Sequence, residues 1–419
     1  MKIFFCFLLF ITLSISFIPF YDSADKAGNQ WLVLSLINLL LFSNLIFLKI
    51  KFNTLIFSKS FLFYLLFVFF AFISLSYSNN VILSLQDISR HITILFLIFL
   101  ITNSFLYFKI NFKIISWFFV FIILIESFAS LSPLLFDFLD GNIDFFQYTS
   151  INIDALVGLT GNRNITTASI AIKLPFLFYL IFTSQNFLSK AFLYLVSFFP
   201  FLVLFIIGSR AALISFLITI FFLVCYEFYF LFKNKTYSKI LKIIVLFIFI
   251  ILSYLSSIHI LPKSNSNTID RLESINFSNE SSSNRFILWE NALDYISRHP
   301  FVGCGIGNWK IESSAYWGSL GENYLVPFHA HNDFLEFATE LGLVGVFLYI
   351  MIFISAIYFL LSYFKQEPYV ALTLFSCFTI YLVDANLNFP FERPVMQVPL
   401  ALFISLVIYL QLTLRKKSI

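Results

Sequence analysis

Apolar runs of about 18 residues or more recur along almost the whole chain, and each is long enough to cross a bilayer's hydrocarbon core as a helix. Twelve can be read, at roughly 3–20, 31–48, 60–76, 91–108, 114–131, 164–183, 190–207, 210–232, 240–258, 333–363, 369–386 and 394–413. Composition agrees: 60% of the 419 residues are hydrophobic and 11% charged, where a soluble domain carries about 25% charged residues. The 61 Phe residues read as lipid-facing filler. The expected fold class is therefore an all-α polytopic membrane protein with about 12 transmembrane helices. Residues 1–258 would form an N-terminal bundle of about nine spans. Residues 259–332 would form a long outer loop with short amphipathic helices, and residues 333–419 a C-terminal bundle of about three spans. Met1-Lys2 opens the first run as in a signal peptide. No small-residue cleavage pattern follows before Tyr21-Asp22, so an uncleaved first helix is expected.

Charge placement orients the chain. With the N-terminus in the cytoplasm, alternating spans put nearly all lysines inside, as the positive-inside rule requires. Lys49, Lys51, Lys59, Lys109, Lys113, Lys190, Lys233 and Lys365 all fall there. Seven of the eight arginines fall outside instead. Topology alone does not put them there, whereas a guanidinium fork matches phosphate oxygens in bidentate fashion. An anionic ligand at the outer face is the functional reading; for Arg90 and Arg271 a headgroup anchor is expected. The cytoplasmic loops are short and lack a Gly-rich phosphate loop, which argues against a nucleotide-driven enzyme or transporter. Two outer loops, about 132–163 and 259–332, are long enough to be functional. Of the four cysteines, three lie inside apolar runs, so neither a disulfide framework nor a cysteine metal cluster is expected.

Within the second loop, Arg285 to Arg298 reads as a short helix. Phe286, Trp289, Leu293 and Ile296 fall on one face, Asn284 or Ser283 can cap it, and Gly303, Gly305 and Gly307 then force turns. Its apolar face would lie on the membrane, with Arg285 at headgroup level. The tenth span opens with His329-Ala330-His331-Asn332-Asp333. At a helix N-terminus the dipole disfavours imidazolium and keeps a ring neutral, as a general base requires. Plain helix packing around an interfacial histidine is the competing reading. Extrapolated at about 100° per residue, Ala338, Gly342 and Gly345 continue the His331 stripe and would let another helix pack closely. Asp333, Glu336 and Glu340 are unusual so near a membrane, and Lys173 is an intramembrane charge whose partner is not readable. Gly161-Asn162-Arg163 precedes the sixth span. Gly208-Ser209-Arg210 is a very tight turn that would hold an arginine near membrane depth.

These residues resemble the O-antigen ligase and polymerase superfamily of bacterial membrane glycosyltransferases. Its pattern of His, then Asn, Ser or Gln, nine residues, Gly, two residues and Gly, Thr or Tyr is matched by His331-Asn332, Gly342 and Gly345. The stretch from Arg285 to Ala292, the run His299-Pro300-Phe301-Val302-Gly303-Cys304-Gly305-Ile306-Gly307, and Gly208-Ser209-Arg210-Ala211-Ala212 look like the family's outer-loop and short-turn sequences, with Ile214 where leucine is usual. The resemblance implies a GT-C-like fold in the inner membrane and an inverting, metal-independent transfer at the periplasmic face, without a cofactor. The donor would be a glycan on undecaprenyl diphosphate and the acceptor a lipid A-core sugar. His331 would be the general base, and Arg210 and Arg285 would hold the leaving diphosphate. Arg163, Asn332, His329 and Trp289 are the further substrate-contacting candidates, and whether Arg393 joins them is open. A polymerase that uses a second lipid-linked glycan as acceptor, and a protein O-oligosaccharyltransferase, differ only at the acceptor. A lipid-linked glycan transporter would be a different class, and no nucleic-acid partner is expected.

Overall fold

The computed structural model describes residues 1–19, 25, 27–52, 55, 58–139, 155–234, 238–260, 285–320 and 328–417. The helices along the chain are α1 Lys2–Leu13, α2 Gly28–Phe47, α3 Lys59–Ser74, α4 Val81–Phe108, α5 Phe112–Leu139, α6 Arg163–Thr183 and α7 Phe187–Ile207. There follow α8 Arg210–Asn234, α9 Ser238–Ile260, α10 Arg285–Arg298, the single turn α11 Trp309–Glu312, α12 Asp333–Tyr363, α13 Pro368–Leu387 and α14 Pro394–Lys417. Ten of these are long and apolar enough to cross a membrane, and α1 and α3 are shorter apolar helices. The chain is an all-α polytopic membrane protein. The first expected span is shortened because α1 stops at Leu13 and a 3₁₀ turn, Ile15–Phe17, follows. The expected caps of α10 at Ser283 and Asn284, and Arg271, lie outside the described residues.

Helix α6 is the axis of the bundle, with 89% of its apolar window buried among α5, α7, α8, α13 and α14. Helix α9 lies at the periphery, mainly against α7, with 17% buried. The two ends of the sequence interleave: α12 packs along α3, and α14 along α4. The central helix carries the intramembrane lysine. Lys173 Nζ donates to both carboxylate oxygens of Glu126 on α5, at 2.8 and 2.9 Å, and Ser169 joins them. Glu227, a second acidic residue inside an apolar run, accepts from the Tyr369 hydroxyl at 2.7 Å. Neither carboxylate stood out in the sequence, since a single Glu hardly lowers the hydropathy of a 20-residue window.

The glycine stripe needs correction. Helix α12 does not run unbroken through Gly342, whose backbone sits at φ 65°, ψ −173°. Helical periodicity cannot be extrapolated across such a break, and a loop rather than another helix packs there. Leu343 N–H donates to the Pro300 carbonyl (2.9 Å), while Cys304 N–H and Gly305 N–H donate to the carbonyls of Thr339 (3.0 Å) and Glu340 (2.9 Å). The backbone groups released by the break are thus satisfied by the loop that follows α10, as membrane-depth backbone requires. A Cβ on Gly303 would run into the Thr339 and Glu340 backbone, and one on Gly342 would meet the Phe301 carbonyl oxygen at 2.5 Å.

Arg90 is also corrected. It is no headgroup anchor but is buried (8% exposed), paired with Asp25 (2.9 Å), Asp87 (3.1 Å) and Glu392. Lys310 Nζ shares Glu392 at 2.8 Å. The pairing tendency of a carboxylate three residues before an arginine was there to be read, but partners from distant loops were not. Burial works to raise the Glu392 pKa, and the cations His329, Arg90 and Lys310 outweigh it, holding it down at about 2.

Gly342→Ala combines left-handed strain with a backbone clash and should destabilise by about 1–3 kcal/mol; thermal unfolding in detergent would show a lowered Tm, with Gly28→Ala as a milder control. Lys173→Met should cost about 3–5 kcal/mol by stranding Glu126. Adding Glu126→Leu should recover most of that loss in the same assay.

Candidate functional site

The site residues come together at the end of the bundle opposite Lys49, Lys59, Lys109, Lys190, Lys233 and Lys365. Three sequence-distant pieces build it: the turn between α7 and α8, the start of α10, and the start of α12 against the segment joining α13 to α14. Gly208 ends α7 in the left-handed region, and Arg210 begins α8 two residues later. Arg285 is the first residue of α10. That helix turns its buried face, Leu288 and Ala292 with Tyr295 beside them, onto Trp309, Ala330 and Leu335. The expected lipid-side stripe lies on another face: Leu293 is exposed there, and Phe286, Trp289 and Ile296 are half-buried.

His331 has φ 52°, one of three non-glycine residues in the left-handed region among the described residues, a conformation found mainly where the surrounding structure imposes it. Asn332 next to it caps α12: its Oδ1 accepts from Phe334 N–H (3.0 Å) and Leu335 N–H (3.1 Å), and its Nδ2 donates to the Asn386 carbonyl (3.3 Å). Asn332 therefore serves the site by fixing where α12 starts. His331 Nδ1 is buried and accepts or donates no hydrogen bond among the described residues. Burial first, then the charges of Arg285, His329 and Arg393, lower the His331 pKa to about 3. The ring is neutral at physiological pH, as expected at this helix end, with nearby guanidinium charge as a cause the sequence did not reveal.

His329 differs. Its Nδ1 lies 2.8 Å from Glu336 Oε1, and the other Glu336 oxygen accepts from Ala330 N–H at 2.9 Å. Burial lowers its pKa, but Glu336 and Glu392 more than offset this and raise it. The protonated form of His329 is thus favoured, which suits it less than His331 to taking a proton.

The segment from Asp384 to Arg393 completes the site, and it was the part least legible beforehand. Arg285 Nη2 donates to Asn388 Oδ1 (3.1 Å), and Asn388 Nδ2 donates to Asp384 Oδ1 (2.6 Å). Phe389 is the meeting point of two imidazole rings and a guanidinium. His329 stacks on it at 4.1 Å, His331 meets it edge-on at 5.0 Å, and the Arg393 guanidinium lies 4.2 Å from its centroid. Burial, with the positive charges of Arg210 and Arg393 working against the attraction of Asp384, lowers the pKa of Arg285. Arg210, Arg285 and His331 thus share one neighbourhood. Trp289, one turn along α10 from Arg285, packs against Phe286 (5.6 Å) and keeps its indole N–H buried without a hydrogen-bond partner among the described residues. Arg163 opens α6 behind the Asn162 cap and is not among the charges acting on His331 or Arg285. The signal for Asp384, Asn386 and Asn388 was a cluster of short polar residues closing an apolar run, just before Phe389-Pro390.

Beside the charged site lies an apolar cavity of about 480 Å³ between α12 and α13, lined by Asn332, Phe334, Phe353, Ile357, Leu382 and Asn386 among others.

Histidine NMR on selectively labelled protein should find the His331 ring neutral and unchanging from pH 8 to 5, while His329 titrates above the ordinary value of about 6.5. Below about pH 6.5 the unfolded chain takes up a proton at residue 331 that the folded chain refuses. That residue therefore erodes stability as pH falls toward about 3.

No curated protein matches the chain. A family model described as O-antigen ligase matches residues 195–350, from within α7 into α12, a stretch that includes Arg210, Arg285 and His331. Over that stretch the chain is similar to the O-antigen ligase family, and its all-helical membrane fold accords with that similarity.

Proposed function

We propose that the protein is a glycosyltransferase of the O-antigen ligase type. It takes a glycan from undecaprenyl diphosphate and places it on an acceptor hydroxyl, in the ligase reading that of a lipid A-core sugar, at the periplasmic face of the inner membrane. The observation that carries this reading is that three separate parts of the chain bring Arg285 beside a neutral His331 and Arg210 near enough to Arg285 to act on its charge. The lysine bias toward the opposite end supports the outward orientation. The apolar cavity beside Asn332 suits a donor that is part polyprenyl chain and part diphosphate.

In this mechanism the acceptor oxygen attacks the anomeric carbon from the face opposite the diphosphate. Its proton passes to His331 as the new carbon–oxygen bond forms. The bond from the anomeric carbon to the diphosphate oxygen breaks, and its electron pair stays with the diphosphate. Arg210 and Arg285 offset the charge that grows there. Asn388 holds the Arg285 fork in place, and Asp384 holds Asn388. Trp289 offers its indole N–H, and Asn332 and His329 act from the start of α12; Arg163 would meet the substrate only at its periphery.

Reconstituted with lipid-linked glycan and acceptor, wild-type protein should form product. His331→Gln should slow turnover by roughly 10²–10⁴-fold with donor binding kept. Lipid translocated without product would mark a transporter instead. In cells lacking His331, loss of capped core with free polymer retained indicates a ligase, and loss of all chain extension indicates a polymerase.

A further inference from the structure

Arg393 is a cation the mechanism above leaves unused. It directly precedes α14, and its guanidinium lies over the Phe389 ring at 4.2 Å. The same ring touches His331 at 5.0 Å, and the preceding residue, Asn388, accepts from Arg285. Arg393 therefore stands beside both the base and one of the two arginines already assigned. Its Nε and Nη1 are buried and make no hydrogen bond among the described residues.

A buried guanidinium ordinarily has carboxylates to satisfy it. Of those nearby, Asp333 and the Oδ2 of Asp384 are buried and make no hydrogen bond among the described residues either, and the other acceptors are engaged elsewhere. Glu392 is held by Arg90 and Lys310, and Asp384 Oδ1 is held by Asn388. Among the described residues no ion pair joins Arg393 to an acid, although Asp384, Asp333 and Glu392 lie near enough to act on it by charge. Stacking on Phe389 fixes the plane of the fork and leaves its N–H groups to bind oxygen.

We infer that Arg393 is a third diphosphate-binding arginine, gripping the leaving group alongside Arg210 and Arg285. The inference rests on the lipid-diphosphate reading of the site. As the anomeric carbon–oxygen bond breaks, the diphosphate gains the electron pair, and three fixed cations receive a charge that two would share. Asp384 and Asp333, in this arrangement, keep the cluster of arginines from repelling itself apart when no anion is bound.

Wild-type full-length protein in nanodiscs is treated with phenylglyoxal, with and without inorganic diphosphate, and modified peptides are read by mass spectrometry. Diphosphate should shield Arg210, Arg285 and Arg393 alike. The surface residue Arg298, paired with Asp294 and Tyr316, should be modified equally in both samples. Shielding of Arg210 and Arg285 without Arg393 overturns the inference and leaves the transferase reading intact. Shielding of none of the three overturns both. Diphosphate titrated into folded Arg393→Lys should bind about tenfold or more weakly, the loss of a bidentate charged contact, and unchanged affinity there also overturns the inference.

Discussion

The structure depends on how it satisfies backbone groups at a break in a membrane-depth helix. At Gly342 the α12 ladder is interrupted, and the loop from Pro300 to Gly305 supplies the missing partners. That exchange ties the segment after α10 to the helix headed by His331. The loop's other side is fastened to α3 and α4: Ile306 N–H donates to Ser74 Oγ (3.2 Å), and the Asn308 side chain bonds Ser78 and Ser84, each at 2.8 Å. Arg285 and His331 belong to sequence neighbours 46 positions apart only in number; in space they are held by the same fastening. A polar site at a bilayer boundary needs such rigidity, because an arginine fork is selective only when its geometry is fixed.

The charges of the site divide into two groups with different work. Arg90, Asp87, Asp25, Glu392 and Lys310 pair with one another and join the α1–α2 connection, α4, α11 and the entry to α14. Arg285 and Arg393 act on a neutral ring, His331, and Arg210 acts on Arg285. Phe389 and Glu392 mark the border between the groups, three residues apart. His329, bound to Glu336, belongs with the paired set although it stacks on the same ring as Arg393.

Much of the fold was legible because the solvent is lipid. A span must be long, apolar and continuous, and those features are written locally in the chain, so α6 to α9 and α12 to α14 begin and end within a few residues of the expected places. Helix α10 was equally readable from its apolar periodicity and the His299-Pro300 stop. The breaks were not. Gly342 looked like a packing glycine because periodicity presumes an intact helix, and the strain is visible only with Phe301 in place. Partners of charges were not readable either. Lys173 could not announce Glu126, and Arg90 looked like an anchor until Asp25 and Glu392 stood beside it. His331, Arg210 and Arg285 stood out through their positions at helix starts and a family resemblance. Asp384, Asn388 and Phe389 act by holding other residues, and the polar cluster that closes their apolar run does not tell which residues they hold.

The pairing of Lys173 with Glu126 bears on how the chain is assembled. A lone ammonium or carboxylate at the middle of a span is disfavoured by about 2.5–3.5 kcal/mol during insertion, while the bonded couple presents no net charge to lipid. Helix α5 emerges from the ribosome before α6, so its acid waits for its base. The two helices are best released into the bilayer as a joined hairpin, already neutral, around which the later spans gather.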